Sequence, residues 1–129
     1  MTDRVLFVED DETFRTIVAR HLRRHGYEVV EAGSAEEART ALAGGTAPAV
    51  VLLDVNLPGD PGWSLLRSGP LADAVRDGLP VVVASAVTVD PARLREFHVA
   101  GYLPKPFPLE TLLASIDRLI HQEGVTTEP

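Results

Sequence analysis

The stretch Ala49-Val50-Val51-Leu52-Leu53-Asp54 decides the fold: five apolar residues in a row, without polar alternation, closed by one acid. A strand with one wet face alternates polar and apolar residues, whereas a strand covered on both faces does not. Residues 49–53 therefore predict a central strand of a parallel sheet, and Asp54 marks its carboxyl end. Upstream, Ser34 and Glu37 have capping-box spacing and open a helix carrying Ala38 and Leu42, which Gly44-Gly45 ends. Before it, Tyr27-Glu28-Val29-Val30 predicts a strand. Phe14, Ile17, Val18 and Leu22 recur at helical spacing up to Gly26, and Val5-Leu6-Phe7-Val8 is a buried strand ending in acids.

Downstream, Leu57-Pro58-Gly59-Asp60-Pro61-Gly62 has loop composition. A less regular helix spans Trp63 to about Val75, with Pro70 as a break or restart within it. Pro80-Val81-Val82-Val83-Ala84 is the fourth strand. Asp90-Pro91 is an N-cap followed by proline at the first helical position, opening a helix with Leu94 and Phe97. Tyr102-Leu103 is a very short fifth strand. The last helix starts near Pro108 and is expected to bury Leu112, Leu113, Ile116, Leu119 and Ile120, with a frayed tail from Gly124. Five strands alternating with five helices predict an α/β domain: a parallel sheet with helices on both sides. In such sheets ligands sit beyond the carboxyl ends of the strands.

The composition narrows the function classes. A chain of 129 residues fits one domain and needs no staple. The absence of cysteine excludes disulfides, thiolate metal sites and cysteine nucleophiles. No apolar run approaches the roughly 20 residues that span a bilayer, and the run after Arg4 is too short for a signal-peptide core. The expectation is a cytoplasmic protein without membrane contact. Net charge is −7, from 12 basic and 19 acidic residues, the wrong balance for a duplex-binding surface. Arg20, Arg23 and Arg24, near His21 and His25, read as the solvated face of one helix, so direct nucleic-acid binding is not expected. His21, His25, His98 and His121 show no convergent spacing for metal and are expected at the surface.

Chemistry-bearing residues collect at the strand ends. Glu9 and Asp10 follow the first strand, Asp54 the third, Ser85 the fourth and Lys105 the fifth. Taken singly, each has a plainer reading: helix-cap acids, a loop acid, a small strand-end residue, a solvent-facing lysine. Together they bring three carboxylates, a hydroxyl and an ammonium to one edge. Bare carboxylates so placed repel one another, and a hard divalent cation such as Mg²⁺ (or Mn²⁺) resolves the repulsion. Such an ion shields an anionic phosphodonor from an anionic nucleophile, and a carboxylate can attack phosphorus to give an acyl phosphate. Lys105 and Ser85 are then suited to hold the phosphoryl oxygens.

Four stretches carry a family resemblance: Val5-Leu6-Phe7-Val8-Glu9-Asp10-Asp11; Leu52-Leu53-Asp54-Val55-Asn56-Leu57-Pro58-Gly59 with Gly62; residues 80–86; and Tyr102-Leu103-Pro104-Lys105-Pro106-Phe107. In this order and spacing the chain resembles the receiver domain of bacterial two-component response regulators, from Arg4 to about Ile120. The resemblance implies a flavodoxin-like (βα)5 doubly wound sheet of strand order 2-1-3-4-5, with residues 1–123 as the domain and 124–129 as a flexible tail. It also implies roles. Asp54 is the phosphoacceptor. Glu9 and Asp10 hold the metal, Asp10 more directly, together with Asp54 and the Asn56 backbone carbonyl. Lys105 contacts the phosphoryl group, Ser85 is the switch hydroxyl, and Tyr102 changes rotamer with it. The implied donor is a sensor histidine kinase or histidine phosphotransfer protein, small acyl phosphates serving some members. The implied output surface, for a partner left unidentified, comprises the helix after Asp90, the fifth strand and the last helix.

Departures from the pattern qualify these expectations. Glu9 is longer than an aspartate, Pro61 stiffens its loop, and the entry to the fifth strand is about two residues short. Val87 is apolar where many relatives are polar, and is expected to affect the rate of phosphoryl loss; similar lifetimes for wild type and Val87→Glu would count against that. The last helix lacks the charge pattern of the dimerising transcription-factor subclass, which suits either a single-domain regulator or one domain of a longer protein. Three rival readings are weaker. A phosphorylation-independent docking module would not need Asp54, Ser85 and Lys105 intact. A haloacid-dehalogenase-type phosphatase wants an aspartate where Asn56 stands. A flavin carrier wants a phosphate loop where Glu9-Asp10-Asp11-Glu12 would repel phosphate.

Overall fold

The computed structural model describes residues 3–57 and 62–125. The central run forms β3 (Val50–Asp54), flanked by β1 (Arg4–Val8) and β4 (Val81–Ser85), with β2 (Glu28–Ala32) and β5 (Gly101–Pro104) at the edges. All pairings are parallel and the order is β2-β1-β3-β4-β5, as expected. The winding direction reverses between β1 and β3, leaving a crevice beyond the strand ends at Glu9 and Asp54.

Period-two alternation divides each central strand between two cores. Val5, Phe7, Val50 and Leu52 face α1 (Glu12–Arg24) and the last helix, meeting Val18, Leu22, Leu112 and Ile116. Leu6, Val8, Val51 and Leu53 face the other side, meeting Ala35 and Ala38 of α2 (Ala35–Ala43), Leu65 of α3 (Gly62–Arg67) and Leu71 of α4 (Pro70–Arg76). Burying each such Leu, Ile or Phe contributes roughly 1.5–3 kcal/mol. Most of the molecule's stability therefore comes from these two layers.

Local signals place the helix ends. The Asp11 carboxylate accepts from Phe14 N at 3.0 Å and starts α1. Ser34 Oγ accepts from Glu37 N at 3.1 Å, while the Glu37 carboxylate reaches back to Gly33 N at 2.7 Å. Asp90 caps α5 (Pro91–Glu96) through Ala92 N, with Pro91 at its first position. The helix expected from Trp63 to Val75 divides at Ser68-Gly69-Pro70 into α3 and α4, so the described residues contain six helical segments ending with α6 (Leu109–Val125).

Several expectations need correction. Ile17, at helical spacing with the core residues, is 53% exposed, because the α1 stripe facing the sheet is filled by Val18, Ala19 and Leu22. Leu119 and Ile120 are only partly buried. His21 is not a surface residue: it is half-buried, its ring 4.7 Å from that of His25 and its Nε2 enclosed without a partner among the described residues. His25, His98 and His121 are exposed. Residues 58–61, including Pro61, and tail residues 126–129 lie outside the described residues. Among the described residues no helix is long and apolar enough to cross a membrane. At the β2 edge, Arg23 donates to the Val29 carbonyl at 3.0 Å and pairs with Glu31. Tyr27 Oη donates to Asp117 and ties α6 to the start of β2.

Candidate functional site

Four parallel strands end at one edge, and each delivers a side chain there. Glu9 follows β1 directly and is 1% exposed, its backbone N bonded to Ala32 O at 2.9 Å. Asp10 is exposed at the rim. Asp54 and Ser85 are the last residues of β3 and β4, at 5% and 1% exposure. Lys105, just past β5, is fixed through its backbone N to Ser85 O at 2.8 Å. The Lys105-Pro106 peptide is cis.

The Lys105 ammonium lies between two carboxylates, donating to Glu9 Oε1 at 2.6 Å and to Asp54 Oδ2 at 3.1 Å. The Phe14 ring supports it, 4.8 Å from Nζ to the centroid, and is itself packed edge-on against Phe107. The remaining oxygens are also held: Glu9 Oε2 accepts from Asp11 N at 3.1 Å, and Asp54 Oδ1 from Asn56 N at 2.9 Å. Burial raises the Glu9 carboxyl above its usual range and the nearby Asp54 charge adds to this, outweighing Lys105 and Asp11 N. Burial alone would lower the Lys105 ammonium, but its bonds to Glu9 and Asp54 and their charges raise it. The lysine is therefore a fixed cation at any physiological pH.

One carboxylate oxygen each from Glu9, Asp10 and Asp54 can be chosen so that all lie within 4.8 Å of one another. The donors are oxygen only, two of them buried and one at the rim, which suits a hard divalent cation entering from solvent. The cluster expected from the sequence is thus assembled: Glu9, Asp10, Asp54 and Lys105 converge, with Ser85 beside them through Asn56. The Asn56 amide donates to Ser85 Oγ at 2.8 Å, and Val87 N donates to the same oxygen at 3.0 Å. Tyr102 stands further off, half-buried against the second core with Val89, Leu94 and Phe97.

Other features carry no sequence signal. The Asn56 side chain looks like any loop asparagine until its partner is seen. Arg15, an ordinary helix residue by pattern, donates to Glu9 O at 2.7 Å and to Glu31 at 3.1 Å, bracing the acidic turn from behind. Gly62 belongs to the recognisable motif, and its reason is steric: a Cβ there would lie 2.7 Å from Val55 Cα and 2.8 Å from Asp54 O. The loop after Asp54 closes back on the strand end only because that atom is missing.

The chain resembles known proteins in sequence and fold. The transcriptional activator protein PfeR of Pseudomonas aeruginosa is 38% identical over 121 residues, covering 92% of this chain and 38% of PfeR. The chain spans about half the length, or less, of the curated relatives it matches. The non-phosphorylated HemR receiver domain from Leptospira biflexa superposes with a TM-score of 0.79 at 31% identity, covering 92% of this chain and 94% of that one. A response regulator protein from Burkholderia pseudomallei, solved with a phosphorylated aspartic acid, a calcium ion and citrate, has a TM-score of 0.78 at 27% identity, covering 98% and 75%. The response regulator receiver domain family itself matches residues 5–117, a span that reaches into all five strands of the sheet. A match of that extent, on a fold and edge cluster of the kind the sequence led us to expect, settles membership: the chain belongs to the response regulator receiver domains of two-component signalling.

Proposed function

We propose that the chain accepts a phosphoryl group on Asp54 and thereby switches a partner-binding surface. The observation that carries this reading is the Lys105 ammonium shared between Glu9 and Asp54 at the strand-end crevice. Glu9, Asp10, Asp54 and the Asn56 backbone carbonyl would hold Mg²⁺ or Mn²⁺, which supplies charge neutralisation between an anionic donor and the acidic crevice. The chain's own residues do the rest. A carboxylate oxygen of Asp54 forms the new bond to phosphorus while the donor's bond to phosphorus breaks, its electron pair leaving with the donor. Lys105 already faces the attacking carboxylate and is placed to hold a phosphoryl oxygen. The Ser85 hydroxyl, pinned by Asn56 and Val87 N, is placed to turn toward another. The Burkholderia protein, with its phosphorylated aspartic acid and calcium ion, supports the same chemistry here.

A sensor histidine kinase or a histidine phosphotransfer protein is the natural donor in this reading, acting in the cytoplasm. Inward movement of Ser85 frees space that Tyr102 fills, and the change is read by a partner over α5, β5 and α6. The test is phosphorylation by acetyl phosphate with and without Mg²⁺, followed by intact mass and repeated on Asp54→Asn. The expected result is a Mg²⁺-dependent gain of one phosphoryl group, absent in the variant. No gain from acetyl phosphate or from a phosphohistidine donor, with the fold intact, overturns the reading.

A further inference from the structure

Beside the acceptor lies a cleft of about 220 Å³, most of whose wall has no role in the phosphoacceptor chemistry. Its lining includes Asn56, Ser85, Val87, Trp63 and Arg93. Asn56 is also the residue whose backbone N holds Asp54 Oδ1, so one wall of the cleft is tied directly to the acceptor carboxylate. The opposite flank of Asp54 is occupied by Lys105 and Glu9. A donor whose phosphorus is attacked by Asp54 must send its leaving group away from that carboxylate. The cleft offers room for it.

The far wall of the cleft carries a cation held by a built stack. The Arg93 guanidinium lies 5.3 Å from the Trp63 ring centroid, Trp63 stacks on Phe97 at 5.4 Å and 26°, and the Arg67 guanidinium lies 5.8 Å from the Phe97 centroid. Trp63 belongs to α3 and Phe97 follows α5, and each ring contacts the other and one guanidinium. Cation–π and ring stacking restrain the guanidinium without neutralising it. Asp90, also in the cleft wall, has a carboxylate oxygen committed to capping α5, and among the described residues no carboxylate pairs with Arg93. Arg93 is therefore a positioned cation with no ion-pair partner among the described residues, and it lines the same cleft as Asn56 and Ser85.

We propose that Arg93, positioned by Trp63 and Phe97, is a specificity-determining residue that receives the carboxylate leaving group of small acyl phosphates. The proposal rests on Asp54 being the acceptor. In the step, an Asp54 oxygen forms a bond to phosphorus, and the bridging P–O bond of the acyl phosphate breaks. Its electron pair departs on the carboxylate oxygen, with no proton transferred. The negative charge that grows on that oxygen meets the Arg93 guanidinium in its fork geometry. With phosphoramidate the P–N bond breaks instead, and the nitrogen, already bearing three protons in the zwitterionic donor, leaves as neutral ammonia. That leaving group gains nothing from Arg93.

The experiment compares second-order rates of Asp54 phosphorylation by acetyl phosphate and by phosphoramidate in wild type, Arg93→Gln, Arg93→Lys and Arg95→Gln, with Mg²⁺ present. Arg95 is an exposed cation on the same short helix but outside the cleft, so it controls for net charge. The expected result is a loss of about tenfold with acetyl phosphate in Arg93→Gln, as for one charge-assisted contact made in the transition state. Phosphoramidate rates should stay within about twofold, which also shows that the variant is folded. Arg93→Lys should recover part of the loss, and Arg95→Gln should change neither rate. Equal slowing with both donors, no slowing with either, or the same effect in Arg95→Gln overturns the proposal while leaving Asp54 as the acceptor. Failure of both donors on wild type overturns the proposal together with the acceptor reading.

Discussion

At the scale of single residues, Glu9 controls the response to pH. Burial, helped by the Asp54 charge, raises its carboxyl above the ordinary value of 4.5. A raised folded-state value means that the folded chain binds this proton more tightly than the unfolded chain does. Its contribution to stability is full below 4.5 and is lost as pH climbs through the higher folded value. Lys105 runs on a separate range: raised above 10.5, its contribution is full below that pH and lost only beyond it. Glu9→Gln imitates the protonated acid and keeps the acceptor for Asp11 N. In metal-free buffer at pH 7 the variant should be more stable than wild type in urea unfolding. The gap should close as pH falls toward the ordinary carboxyl range. Coincident unfolding curves at pH 7, or a gap that widens in acid, would show that ionised Glu9 costs the fold nothing.

At the scale of elements, what the sequence made legible followed from what repeats. Two buried faces made β3 and β4 continuous apolar runs, and Ser34 and Asp90 announced two helix starts by type and position. The convergence of Glu9, Asp54 and Lys105 was legible because parallel strands all end on one side. The Asn56–Ser85 bond and the Arg93–Trp63–Phe97–Arg67 stack were not, since each depends on the path of a loop between elements, which no periodicity encodes. The division of the third helix was half legible: Pro70 predicted a break, but the split into α3 and α4 depends on Gly69, whose φ of 98° few other residues adopt. Gly62 supplies the test at this scale. Gly62→Ala drives a methyl group into Val55 and the Asp54 carbonyl, so it should cost about 1–3 kcal/mol and slow phosphorylation by acetyl phosphate. A variant as stable and as fast as wild type would mean that the β3–α3 loop tolerates a shift the geometry says it cannot make without displacing Asp54.

Across the whole molecule, stability is unevenly distributed. β1, β3 and β4 are covered on both sides, whereas α5 spans six residues and buries none of them. Native-state amide exchange should find the slowest hydrogens in β3 and β4, near the global limit, and faster exchange by local opening in α5. Equal protection of α5 and β3 would contradict a signalling surface that rearranges at low cost. In the proposed switch, shifting that surface from mostly inactive to mostly active would take roughly 5.5 kcal/mol of differential binding, more than one phosphoryl contact supplies, so Lys105 and Ser85 would have to respond together. The β2 edge has a different consequence. The Arg23 guanidinium occupies the Val29 carbonyl, and Glu28 and Glu31 add charge along the same strand. A neighbouring copy approaching edge to edge must displace a hydrogen-bonded arginine before it can add a strand, so molecules crowded together in a cell meet a border that resists templated growth into fibres.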